Sequence, residues 1–160
     1  MKYYIVEPEV SGEFGEKTVE IGKKTDRPPQ ITKLHYEFNY WPEDDFLTYL
    51  CMFIGSDRFR KALETLSPPV TGVKFDHVEI SGSPQEFERV WRKGRPDSDF
   101  GVWHWFKITG RPFVDDFAYI DETELLVSER VLAVLKTMNM KYCNVTERDP
   151  VNKSAETSLT

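Results

Sequence analysis

Two cysteines, Cys51 and Cys143, stand far apart with no C-x-x-C pair between them. That argues against a disulfide framework or a thiol-ligated metal, and leaves two reduced thiols suited to a core. Histidine is equally scarce. His35, His77 and His104 are widely separated, and none has the H-x-x-x-H or H-x-x-E-H spacing of a metal site. His77 and His104 fall in strand-like stretches, where a hydrogen-bonded structural role is expected, so no bound metal is expected. Long hydrophobic runs are missing too. Leu50–Ile54 is far too short to cross a bilayer. The N-terminal "MKYYIVEPEV" carries acids where a signal peptide needs a small-residue cleavage site. These absences predict a cytoplasmic protein with no membrane partner. Basic residues cluster only at Arg92–Arg95, and the net charge is −6, which weighs against nucleic acid and favours a basic partner. No G-x-S-x-G, phosphate loop or dinucleotide fingerprint occurs, and the glycines of "GEFGEKTVEIGKK" (12–24) are wrongly spaced for phosphate. No cofactor is expected.

What is present is a core. Of the 160 residues 39% are hydrophobic and 14% aromatic, enough to fold one domain. That domain is expected over 1–147. The polar tail 148–160, "RDPVNKSAETSLT", is expected to be disordered.

The chain also repeats itself. "MFIGSDRFRKALETL" (52–66) and "LLVSERVLAVLKTM" (125–138) align when Ser56 is set on Ser128. Arg58 then matches Arg130, and Phe59, Ala62, Leu63 and Leu66 match Val131, Val134, Leu135 and Met138. Both apolar sets follow i, i+3, i+4, i+7, one face of a helix. Each serine is an N-cap candidate followed by an acid at the positive end of the helix dipole. Short apolar strands precede the helices at Cys51–Ile54 and Leu125–Val127. Others follow in "VKFDHVEI" (73–80) and "MKYCNVTE" (140–147), where Phe75 aligns with Tyr142 and Val78 with Val145. The sequence therefore predicts two repeated strand–helix–strand units, about 51–80 and 125–147, in an α+β fold. Its sheet should be mixed or antiparallel, with helices packed on it.

Other elements are legible. Ser83, Pro84 and Glu86 mark a helix start over 84–93, with Phe87, Val90 and Trp91 on its apolar face. "WPEDDFLTYL" (41–50) is a second helix candidate, with Pro42 at its start and Glu43, Asp44 and Asp45 in its first turn. "VWHWFKITG" (102–110) and "MKYYIV" (1–6) read as strands. "FAYIDETELLV" (117–127) reads as a hairpin with its tip at 121–123, and "TVEI" as part of a shorter one.

Three acidic pairs invite a catalytic reading: Asp44/Asp45, Asp97/Asp99 and Asp115/Asp116. Adjacent carboxylates point about 100° apart on a helix and to opposite faces of a strand, so a working pair would have to be built between segments. The enzyme alternative is a small hydrolase-type protein that assembles Asp115, Asp116, His104 and Glu79 across strands. A third alternative is a regulatory or structural homodimer. Trp103 and Trp105, two apart, share one face of a strand.

The stretches "MKYYIVEPEVSGEFGE", "PPQITKLHYEFNYWPEDD" (28–45), "GVKFDHVEIS" (72–81) and "WFKITGRPFVDDFAYIDETELLVSERVLAVLK" (105–136) resemble a family of immunity proteins of bacterial polymorphic toxin systems, the myxobacterial-type family. The "VSER" helix start, "DDF" at 115–117 and the "G-V-x-F-D" strand carry the resemblance. It implies a small cytoplasmic protein encoded beside a secreted toxin, which binds and silences that cognate toxin in the producing cell. It brings no catalytic residues, so the expectation is a binding protein, not an enzyme. The expected contacts are the loop-borne acids Asp97, Asp99, Asp115 and Asp116, acting as an anion mimic, with Trp41 or Trp103 as an apolar anchor.

Overall fold

The computed structural model describes residues 1–96 and 99–150. It is an α+β protein. Two four-stranded sheets and two short helices share one core. The first half of the chain supplies β1 (Tyr3–Glu7), the hairpin β2 (Gly12–Phe14)–β5 (His35–Phe38) interrupted by a smaller hairpin β3 (Val19–Ile21)–β4 (Gln30–Lys33), then β6 (Phe46–Tyr49), β7 (Met52–Ser56), α1 (Asp57–Glu64), β8 (Val73–Asp76) and β9 (Glu79–Gly82). A π-helical turn (Phe87–Trp91) runs into one α-turn, α2 (Arg92–Gly94). The second half supplies β10 (Trp103–Ile108), β11 (Phe117–Ile120), β12 (Glu124–Ser128), α3 (Glu129–Leu135) and β13 (Asn144–Arg148). No helix among the described residues is long and apolar enough to cross a membrane.

The repeat is present and is larger than the strand–helix–strand unit. Each copy is a hairpin, a helix and a returning strand: β6–β7–α1–β8 and β11–β12–α3–β13. The hairpins pair in matching registers, Phe46 opposite Gly55 and Phe117 opposite Val127. Both tips turn through positive φ, at Leu50 and Cys51 in one and at Asp121 and Glu122 in the other. Such residues give the primed geometry that suits the twist of a tight hairpin. Both helices start at a capping serine: Ser56 Oγ accepts from the Phe59 amide at 3.3 Å, Ser128 Oγ from the Val131 amide at 3.4 Å.

The sheets are ordered β6-β7-β10-β8 and β11-β12-β1-β13. In each, the strand between the hairpin and the returning strand comes from the other half of the chain. β10 lies antiparallel to β7 with Trp103 opposite Ser56, and β1 lies antiparallel to β12 with Tyr3 opposite Ser128. The strand that leads each copy is thus exchanged into the other copy's sheet. Even the helix starts match: the Asp57 amide donates to the Val102 carbonyl and the Glu129 amide to the Lys2 carbonyl, both at 2.9 Å. Phe106 faces Phe75 where Val6 faces Val145. Phe75 is therefore the counterpart of Val145, not of Tyr142, a shift of three residues from the sequence alignment.

Alternation along the strands separates the cores. Phe46, Phe53, Phe106, Phe117, Leu125, Val127 and Val6 point toward the helices and bury Phe59, Leu63, Val131, Leu132 and Leu135. The opposite face of the first sheet carries Leu47, Ile54 and Trp105 against Tyr36, Phe38, Val78 and Phe87. This second layer is built from β5, which pairs parallel to β9, and from the π turn. Leu63 and Leu135 are fully buried at equivalent places. Leu63→Ala and Leu135→Ala are each expected to cost about 2–5 kcal/mol, because the flanking phenylalanines and valines leave a cavity that cannot close. Urea denaturation monitored by far-UV circular dichroism checks this.

Three expectations need correction. Residues 41–45 are not a helix: the chain there is irregular and then enters β6. The stretch 73–80 is not one strand; it breaks at His77, and β9 joins β2 and β5 in a separate three-stranded sheet. The segment 84–93 is helical only from Phe87. Its winding is wide, since the Glu88 amide donates to the Ser83 carbonyl five residues back. This winding leaves Phe87 buried and Trp91 half-buried, but turns Val90 outward, 61% exposed. The strand β13 also extends to Arg148, into the segment expected to be tail, and residues 151–160 lie outside the described residues.

Candidate partner-binding face

Two of the acidic pairs, Asp44/Asp45 and Asp115/Asp116, turn out to be fasteners. Asp45 precedes β6 and Asp116 precedes β11, and each carboxylate does the same thing. Asp45 accepts from Ser56 Oγ at 2.6 Å and from Arg58 Nε and Nη2 at 3.0 and 2.7 Å. Asp116 accepts from Ser128 Oγ at 2.7 Å and from Arg130 Nε and Nη2 at 2.8 and 2.6 Å. The remaining lone pairs reach across the repeat. Asp45 accepts the amide of Asn139, beyond α3, and Asp116 the amide of Thr71, beyond α1. Burial opposes the charge on both carboxylates, but the bidentate arginine, the serine and the amide outweigh it. The net effect lowers Asp45, and brings Asp116 down to about 2.

Their neighbours also tie backbone. Asp44 accepts the amides of Lys141 and Tyr142 at 2.7 and 2.8 Å. Asp115 accepts the Arg111 amide at 2.7 Å. Asp44 and Asp45 thus hold loops together and do not stabilise a helix start.

These placements revise the list of contact residues. Asp116 is buried at 5% exposure and committed to Arg130, so it is not a surface contact. Asp115 is half-buried beside it. Asp99 is exposed and accepts the Gly101 amide at 2.9 Å, and Asp97 lies outside the described residues. Nor do the four residues of the enzyme alternative meet. His104 contacts Asp57 at 2.8 Å and Arg60 at 3.1 Å, while Glu79 contacts Lys17 and His77. His35 is buried, with Nδ1 accepting the Lys17 amide and Nε2 bonded to Ser81 Oγ at 2.7 Å.

The tryptophans fare differently. Trp103 and Trp105 share a face of β10, as the spacing requires, and both pack in the second core. Trp103 is half-buried on Phe38 at 5.9 Å, with its indole N–H donated to the Phe100 carbonyl. Trp41 stacks on Phe87 at 5.6 Å and on Phe100 at 6.3 Å, so its inner side belongs to the core, while the Arg95 guanidinium lies 5.0 Å from its ring centroid.

Around Trp41 the surface is apolar. A groove of about 400 Å³ is lined by Tyr40, Trp41, Trp91 and Tyr142, with Val10 and the acids Glu9 and Glu43. Val10 and Tyr142 also line the next hollow, of about 330 Å³, which reaches Leu50 and Cys51 at the β6–β7 tip. Val10, Tyr40, Leu50 and Tyr142 are 58, 54, 46 and 52% exposed. Loops from both copies converge here: 8–10 and 40–43 from the first half, 142 from the second. Glu9 and Asp44 set their spacing, because Glu9 accepts the amides of Glu43 and Asp44 while Asp44 accepts those of Lys141 and Tyr142. Periodicity gave no hint of Tyr40, Trp91 or Tyr142. The only signal was "YWP" at 40–42, two aromatics beside a proline that cannot both turn inward.

No family model matches the chain, and no curated protein matches it.

Proposed function

We propose that the chain is an immunity protein that binds and neutralises a cognate bacterial toxin in the cytoplasm of the cell that makes it. It acts by occupancy, not by turnover. The observation that carries the reading is the exposed face of Tyr40, Trp41, Trp91, Tyr142, Val10 and Leu50. Tyrosine and tryptophan supply large contact areas at little entropic cost and dominate the energetics of protein interfaces. A contiguous outward-facing group of them marks a docking surface. Its backbone is pinned by Glu9 and Asp44, so little ordering is left for association to oppose. The net charge of −6 attracts a basic partner. The resemblance of the sequence to polymorphic-toxin immunity proteins supplies the class of partner. The contact surface is this aromatic face, not the Asp115/Asp116 pair, whose reversal to lysine would disrupt the fold before it reported on binding.

The test is co-expression with the toxin encoded next to this gene, together with calorimetry on the purified pair. The double variant Tyr40→Ala/Tyr142→Ala is expected to keep its melting temperature, since both rings are more than half exposed. It should bind at least about thirtyfold more weakly, the effect of losing a single interface hot spot. Unchanged binding by this variant would remove the face from the interface. A wild-type protein that neither binds the neighbouring toxin nor protects against it would end the immunity reading.

A further inference from the structure

The rings of this face already hold cations, all from the chain itself. The Arg95 guanidinium lies 5.0 Å from the centroids of both Trp41 and Trp91. The Lys141 ammonium lies 5.2 Å from that of Tyr142. Two carboxylates line the same groove. That of Glu9 is fixed by the amides of Glu43 and Asp44. Glu43 is exposed, and its carboxylate accepts no hydrogen bond among the described residues.

Electron-rich rings attract a cation electrostatically, guanidinium most readily, because it is planar, stacks, and is weakly hydrated. The exposed Glu43 carboxylate lies in the field of the Lys141 ammonium, and it supplies the counter-charge that a purely apolar groove lacks. Resting on the reading that a protein partner docks here, we infer that the groove receives an arginine side chain from that partner, stacked on Trp41 and Trp91 and paired with Glu43. Arg95 is its internal placeholder. The arginine of the partner takes the ring faces that Arg95 covers, and Arg95 swings out to solvent. The placeholder keeps two tryptophan faces covered while the protein is alone, which limits unspecific sticking of an exposed apolar patch. It also makes the slot selective, since an apolar side chain would displace Arg95 without replacing the charge it removes from the rings.

The experiment uses the intact protein with ¹⁵N-labelled tryptophan and reads the four indole N–H signals by NMR. The probes are an acetylated tetra-arginine amide and its tetra-citrulline counterpart, which has the same shape without the charge. The arginine peptide is expected to shift Trp41 and Trp91, to leave Trp105 in place, and to bind at least tenfold more tightly than the citrulline peptide. Glu43→Gln should weaken it several-fold. Arg95→Ala should strengthen it several-fold, and by more than Lys33→Ala, which removes an exposed positive charge away from the groove. Equal binding of the two peptides on the wild-type protein would overturn the inference. So would an Arg95→Ala effect no larger than that of Lys33→Ala, which would reduce the preference to net charge. The two readings fail separately. Arginine selectivity without toxin binding keeps the slot and removes the immunity function, whereas toxin binding that depends on Tyr40 and Tyr142 without arginine selectivity removes only the slot.

Discussion

Asp116→Ala is expected to destabilise the protein by about 3–5 kcal/mol, the usual result of breaking a buried pair and leaving one charge behind. The carboxylate serves five donors at once: a capping serine, two nitrogens of Arg130, and the amide and hydroxyl of Thr71. Removing it strands Arg130, whose Nη1 also donates to the Pro68 carbonyl at 2.6 Å, and it loosens the start of α3 and the end of the loop after α1 together. Asp45→Ala should cost less, because its arginine partner is far more exposed, at 56% against 24% for Arg130. The pH dependence has a definite sign. The Asp116 pKa is depressed in the folded state, from 3.8 to about 2, so its contribution is complete above pH 4 and disappears as the pH falls toward 2. The linked stability is roughly 2 kcal/mol. Acid titration of the wild type and of Asp116→Asn, followed by urea midpoint, should show the variant losing less stability than the wild type through this window, the remaining loss coming from Asp45 and the other depressed carboxylates. A variant as acid-sensitive as the wild type would mean that another carboxylate controls the transition.

Gly110→Ala is expected to be nearly as damaging for a different reason. A Cβ on Gly110 would lie 2.1 Å from the Phe117 carbonyl oxygen and 2.8 Å from the Gly72 Cα. A Cβ on Gly72 would meet the same oxygen at 2.1 Å, and Gly72 also sits at φ +81°, where a side chain is strained. Apart from the Asp115 Cβ, 2.6 Å from the Gly110 position and itself fixed by the backbone, these neighbours are backbone, so no rotamer can yield. Three segments cross here: the exit of β10, the entry to β8 and the start of β11, joined by the Thr109 amide on the Gly72 carbonyl and the Phe117 amide on the Thr71 carbonyl. Forcing them apart should cost about 3 kcal/mol, the upper end of overpacking effects. Gly94→Ala is the control. Nothing lies within 4 Å of its Cβ position, so its effect should stay within about 0.5 kcal/mol. Thermal melts of the three variants decide the comparison.

How far the sequence could be read depended on whether a feature was local. The helix faces were legible because Phe59 and Leu63, like Val131 and Leu135, must recur at 3.6-residue spacing to reach one core. The capping serines and the hairpin tip at 121–123 were legible because turns and caps demand particular side chains in particular places. The false helix at 41–45 came from a real ambiguity. Proline followed by acids marks a helix start, and it equally suits an irregular loop whose carboxylates collect backbone amides from distant segments. The fastening role of Asp45 and Asp116 is legible only when the two hairpins are aligned. "DDF" occurs at both 44–46 and 115–117, and setting the two together would have shown Asp45 and Asp116 as equivalent parts of the repeat, paired with Ser56/Arg58 and Ser128/Arg130. The strand exchange was out of reach, since nothing in the alternation of "YYIV" or "WHWF" specifies which edge each strand will join. Of the aromatic face only Trp41 was named from the sequence, because a tryptophan such as Trp91 has the same composition signature whether it looks inward or outward.

The exchanged leading strands also set a timetable for synthesis. β1 leaves the ribosome before both of its neighbours, β12 and β13, which are made from residues 124–148. Until they emerge, that strand has no edge to join, and the β6–β7 hairpin waits in the same way for β10. Neither sheet can be completed by its own half, so the chain is committed to folding late and as a unit, through long loop closures that are slow to form. During that interval the apolar faces of β1 and β7 are uncovered and open to association with other chains.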